Sequence, residues 1–195
     1  MIINLWAMSI FIYGMVIQHN NGGKVMRYTY YDYDPVSKEE FDIIGEDYIE
    51  LMKLCVKYSK TVCFRKFIHL EYNSHIPERL EKYRLQINEN TIKPYYGNYR
   101  HSCFKTLTDE AKEQLYLLEL SEEVIEWLLS ITNDVWDWDR GADKLLPEDP
   151  VFFREDDSVF ADSIIHNGEF SIYPRDGEDV SSVVTKDHWH CFNDR

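Results

Sequence analysis

The chain lacks every strong catalytic signature. It holds no P-loop, no G-x-G-x-x-G, no G-x-S-x-G and no H-E-x-x-H, so nucleotide cradling, nucleophile-elbow and zincin chemistry have no sequence support. Positive charge is scarce too: 21 Lys and Arg stand against 35 Asp and Glu, a net charge of -14. Such a surface repels a phosphate backbone, which argues against a nucleic-acid binder. The four cysteines, Cys55, Cys63, Cys103 and Cys191, include no C-x-x-C pair. Zinc frameworks draw paired ligands from tight turns, so this spacing is poor metal evidence. Reduced, structural thiols in a cytosolic protein are expected, with a Cys55–Cys63 disulfide as the alternative. There are no internal repeats and no low-complexity linker.

Large rings are abundant. The 14 Tyr, 10 Phe and 5 Trp can fill a sizeable core. The apolar run Ile2–Ile17 reads in two ways. Preceded by no Lys or Arg, and shorter than the roughly 20 residues a spanning helix needs, it is a poor signal or anchor. In a bacterial gene Gly22-Gly23 can be encoded as GGAGGU, a ribosome-binding sequence, with Lys24-Val25 as spacer before Met26. Residues 1–25 are then a leader translated ahead of the true start, and residues 26–195 form a single domain. The alternative is an apolar membrane anchor in residues 2–17.

The remaining chain predicts a first strand at Arg27–Tyr33. A capping box at Ser37-Lys38-Glu39-Glu40 follows, with Val36 and Phe41 as hydrophobic staple. Phe41, Ile44, Tyr48, Leu51, Cys55 and Tyr58 share one helical face, which predicts a helix running to about Ser59 with Gly45 in its interior. Thr61–Ile68 and Tyr83–Ile87 read as strands, and Pro77–Lys82 as a helical turn. A second helix is expected after Thr108, with Ala111, Leu115 and Leu118 on its apolar face. A third is expected after Ser121. Asp134–Pro150 reads as a loop. From Val151 the period becomes two, and Asn167-Gly168 between apolar runs signals a hairpin. The expected fold is a single α+β domain, three main helices with an antiparallel C-terminal β-meander.

Negative charge is concentrated late: residues 26–108 carry 13 basic and 12 acidic groups, residues 109–195 carry 7 and 23. An acidic half of this kind steers a basic protein partner; the plainer reading is solubility. The candidate partner-binding residues are Trp136, Asp137, Trp138, Asp139 and Arg140, which interleave rings and charges in a loop, and the acidic turn Glu155-Asp156-Asp157. The alternative for Trp136 and Trp138 is that they plug the joint between helices and hairpin. His188, His190 and Cys191 lie close together but lack an obvious fourth ligand, so no metal and no cofactor is assigned. No catalytic residue is assigned either.

The segments Pro147-Glu148-Asp149-Pro150, Phe152-Phe153-Arg154, Ile165-His166, Tyr173-Pro174-Arg175 and Glu178-Asp179-Val180 resemble the ending of a group of small, acidic, poorly characterised proteins from Gram-positive bacteria. Some of that group carry the label "stage III sporulation protein AH". The resemblance implies no catalytic residues. Size, acidity and lack of active-site motifs are similar to those of immunity proteins of bacterial toxin systems. The expected function is therefore a non-enzymatic, cytoplasmic, acidic protein-binding domain, most concretely an immunity-type inhibitor of a basic toxin. A sporulation- or envelope-associated accessory protein is the alternative, and an enzyme of unknown class the third.

Overall fold

A computed structural model describes residues 25–67, 75–95, 113–139 and 145–194. Seven strands form one antiparallel sheet: β1 (Val25–Tyr31), β2 (Thr61–Phe67), β3 (Glu113–Glu119), β4 (Glu148–Phe153), β5 (Val159–Ile164), β6 (Glu169–Ile172) and β7 (Trp189–Asp194), in the order β3-β2-β4-β5-β6-β1-β7. The described helices are α1 (Glu46–Tyr58), α2 (Ile92–Tyr95), α3 (Glu122–Ser130) and α4 (Ser181–Val184). Only α1 and α3 exceed a single turn. No described helix is long and apolar enough to cross a membrane. The leader-or-anchor question lies outside the described residues.

The expectation of three main helices is overturned. The described part of the helix placed after Thr108 is strand β3, with Val62 opposite Leu118 and Phe64 opposite Tyr116 on β2. Its apolar run is continuous because both faces are covered: Tyr116 and Leu118 join the cluster under the helices, and Leu115 and Leu117 the cluster on the other side. A strand buried on both faces contains helix-spaced apolar residues by coincidence. The meander is also not an appendage. Strands β4, β5 and β6 form the middle of the sheet, and β1 and β2 flank them.

The first helix begins later than its sequence suggests. Lys38 adopts φ 62, a left-handed conformation that breaks any helix at that point. The Ser37 hydroxyl accepts from the Glu39 N–H inside a turn, and Val36 is 88% exposed, so no staple forms. Gly45 is the N-cap of α1, at φ 61 and ψ -125. It starts the helix rather than weakening its interior, because few residues other than glycine tolerate that conformation. From there the periodicity holds. Tyr48, Leu51, Met52 and Cys55 are fully buried against the sheet, each large group contributing roughly 1.5–3 kcal/mol by leaving water.

Elsewhere the deviations are smaller. Tyr83–Ile87 forms no strand beyond an isolated bridge from Arg84 to Leu118. The hairpin between β5 and β6 exists, but its turn is a 3-10 segment, Ile165–Asn167, closed by Gly168 at φ 67. Cys55 and Cys63 are both buried and reduced. They lie in clusters on opposite faces of the sheet, which rules out the disulfide.

Among the described residues, the near-neutral and acidic parts of the chain interleave in the sheet. β1 and β2, from the near-neutral part, lie between strands of the acidic part. Their region supplies Arg65 to Glu148 and Asp149, Lys60 to Glu119, and Arg79 and Lys82 to Glu123.

Candidate functional site

The sequence-predicted residues fall into two groups at opposite ends of β4. Near its start, the Asp149 N–H donates to the Trp138 carbonyl at 3.2 Å. Trp138 itself is fully buried, stacked on Phe64 at 5.2 Å and edge-on to Trp127 at 5.5 Å. Its Nε1 donates to the Tyr48 hydroxyl, which donates in turn to the Leu128 carbonyl. Trp138 is a plug between α1, α3 and the sheet and offers no surface to a partner. Trp136 is half-buried. Its Nε1 donates to the Phe41 carbonyl, and its ring lies 6.3 Å from that of Tyr30. Asp137 accepts from the Thr132 hydroxyl, Asp139 is half-buried, and Arg140 lies outside the described residues.

At the far end of β4, two of the three acids of the Glu155-Asp156-Asp157 turn are engaged within the fold. Asp156 pairs with Arg175 at 2.7 Å and accepts from the backbone N–H and hydroxyl of Ser158. Asp157, at φ 60, accepts from Asn88 and Thr91, tying the turn to the segment before α2. Glu155 is exposed beside a shallow groove shared with Lys57, Lys60, Arg154 and Arg175. Arg154 holds Glu178 through two bonds, of 2.7 and 2.6 Å.

These pairs make a pH prediction. Burial raises the Asp156 carboxyl, but the bonds from Ser158 and Arg175 and the Arg175 charge outweigh it, taking it from 3.8 to about 2. Burial likewise raises Glu178, and Arg154 with the Arg175 N–H holds it below 4.5. Both folded values lie below the unfolded ones, so their stabilisation is complete above pH 4.5 and lost as pH falls toward about 2. The urea midpoint of Asp156→Asn should be lower than wild type at pH 7, and its decline on acidification shallower. Parallel curves for the two proteins would contradict the assignment.

The more suggestive site lies at the β1–β7 edge, under α4. A cleft of ≈ 450 Å³ is lined by Tyr30, Asp42, Ile43, Asp47, Lys186, Asp187, His188 and Trp189, among others. One wall is a group of rings: Trp189 meets Tyr30 edge-on at 5.5 Å, His188 meets Tyr30 at 6.3 Å, and Phe41 stacks on His188. The rim is acidic. Lys186 is taken up by Asp47 and Glu50 at 2.6 Å each, while Asp42 and Asp187 form no ion pair among the described residues. The local field acts on Tyr30, whose hydroxyl is pushed up to about 12 by burial first and then by Asp42 and Asp47.

Of the candidate partner-binding residues, only Trp136 adjoins this cleft. Its lining comes from three separated segments, of which the sequence singles out His188 alone, as a possible ligand beside His190 and Cys191. The alternation of Trp189 and Cys191 with His190 and Phe192 is the available signal for β7. In the fold His188 precedes β7 at φ 74, and adjacent residues His190 and Cys191 point to opposite faces of that strand. Among the described residues no group of three His, Cys, Asp or Glu is placed to hold a metal ion.

Comparison with protein-family models, curated proteins and solved structures finds no match for this chain.

Proposed function

We infer that this protein is a non-enzymatic binding domain for a basic protein, most concretely an immunity-type inhibitor of a basic bacterial toxin. The observation that carries this reading is the cleft beneath α4, where the Tyr30 and Trp189 rings adjoin the carboxylates Asp42 and Asp187, which form no ion pair among the described residues. Rings with a negative rim suit the flexible cationic side chains of a protein surface: apolar stems pack on the rings and charged heads meet carboxylates. The net charge of -14 adds long-range attraction, as in barnase-type inhibition, where acidic side chains meet a basic active site.

The docking face differs from the one drawn from sequence. Trp138 is enclosed and Asp156 and Asp157 are engaged within the fold, so the partner contact shifts to Asp42, Asp187, Tyr30 and Trp189, with Trp136 at its margin. The test is inhibition. A basic toxin-like protein encoded beside this gene, assayed with and without this protein, should lose activity at equimolar mixing. The Asp42→Asn/Asp187→Asn variant should require about tenfold more protein, a loss of about 1.4 kcal/mol. Full toxin activity in the presence of excess wild-type protein would refute the reading.

A further inference from the structure

The cleft already contains a cation of its own. Lys186, from the turn after α4, places its Nζ 2.6 Å from Asp47 Oδ1 and 2.6 Å from Glu50 Oε2. It is an ammonium group seated between two carboxylates on the wall of a ring-lined cavity. The bonds raise its pKa against the lowering effect of burial, with Asp47 and Glu50 as the cause.

Two features make this seat exchangeable. Lys186, Asp47 and Glu50 are 35%, 57% and 43% exposed, and ion pairs in that range are weak because water competes for both partners. Lys186 also stands in a short turn between α4, of 4 residues, and the edge strand β7. An edge strand and a one-turn helix hold their connection less firmly than central elements do.

We propose that Lys186 is a tethered stand-in for an arginine or lysine side chain of the partner, and that the partner's cation enters the cleft beside Tyr30 and Trp189 and displaces Lys186 from Asp47 and Glu50. This rests on the reading of the protein as a receptor for a basic partner, and it assigns the subsite. Asp42 and Asp187 receive the incoming charge first, the rings take its aliphatic stem, and the Asp47–Glu50 pair becomes available as Lys186 swings toward solvent. The internal cation keeps Asp47 and Glu50 paired in the free protein. It also sets a threshold: a single weakly held cation does not displace it, whereas a side chain anchored by the rest of a docked surface does.

The probe is an amidated hexa-arginine peptide titrated by calorimetry into the full chain at low ionic strength. Lys186→Ala and Lys186→Gln should each tighten binding about fivefold, as expected for removal of a competing surface pair. Lys57→Ala removes the same charge from the far end of α1 and should change affinity by less than about twofold. Asp42→Asn/Asp187→Asn should weaken binding about tenfold, while the charge-matched Glu155→Gln/Asp176→Asn should leave it within about twofold. Equal gains from Lys57→Ala and Lys186→Ala, or equal losses from the two double variants, would show diffuse attraction and overturn the subsite, leaving the protein-binding reading intact. Absence of measurable peptide binding would overturn it as well. Peptide binding with the expected pattern, without competition from the toxin, would uphold the subsite and refute the immunity reading.

Discussion

Replacing Arg65 with methionine should destabilise the protein by about 3–5 kcal/mol, the usual cost of breaking a buried ion pair from one side. Arg65 is 1% exposed and lies on β2, between β3 and β4. Its Nη1 is 2.9 Å from Asp149 and 3.6 Å from Glu148, both nearly as buried. The guanidinium thus joins β2 to the start of β4 at the point where the register between these strands shifts. Asp149, at φ 54, uses its other carboxylate oxygen to accept the Ile165 N–H at 2.8 Å, which carries the network to the turn before β6. Methionine keeps the length and apolar stem but takes the guanidinium away from two buried carboxylates. Urea unfolding at pH 7 checks this. The triple variant Arg65→Met/Glu148→Gln/Asp149→Asn should recover part of the loss, because it removes the buried charge altogether. A single variant within about 0.5 kcal/mol of wild type would show that the network contributes nothing.

Gly168→Val should cost about 2–4 kcal/mol, from two separate causes. The residue sits at φ 67, where a β-branched side chain is strained. A Cβ there would also run into the Asp32 carboxylate, because the Asp32 N–H donates to the Gly168 carbonyl at 2.9 Å and holds the two segments together. Gly45 provides the comparison. It too has positive φ, but a Cβ there meets nothing within 4 Å, so Gly45→Ala should lose less than Gly168→Val and recover none of its loss when Asp32 is shortened. Asp32→Ala should make Gly168→Val milder if the clash matters. A urea midpoint unchanged by Gly168→Val would mean that the β5–β6 turn is not formed as described.

Much of the central sheet was legible in the sequence. Alternation located β5 and β6, Gly168 located their turn, and the Tyr48–Leu51–Cys55 spacing located the buried face of α1. Ser121 was correctly read as the N-cap of α3, where its hydroxyl accepts the Val124 N–H. The errors share a physical origin. Local pattern does not report what lies on the second face of a strand, so the doubly covered β3 resembled a helix. Nor does it report backbone sign, so Lys38 at positive φ broke a capping box that was otherwise well formed. Glu148-Asp149 read as loop because charged residues rarely enter a sheet interior, and the Arg65 that pairs with them lies some eighty positions earlier. The cleft was hidden for the same reason. Asp42 and Asp47 bracket Gly45, while Asp187, His188 and Trp189 lie far along the chain, and only the pairing of Tyr30 with Trp189 across β1 and β7 brings them together. Acidity was legible as a total but not as a surface, since Lys60, Arg65, Arg79 and Lys82 of the first part pair with Glu119, Glu148, Asp149 and Glu123 of the second.

The most direct measurement of the account is the association rate with the basic partner as a function of ionic strength, for wild type and for Asp42→Asn/Asp187→Asn. Electrostatic steering into the cleft predicts a wild-type rate that falls steeply as salt shortens the Debye length to about 8 Å at 0.15 M. It predicts a slower rate and a flatter salt dependence for the double variant, with Asp156→Asn close to wild type. Rates that do not respond to salt, or a double variant that associates as fast as wild type, would contradict a cationic partner docking at this cleft.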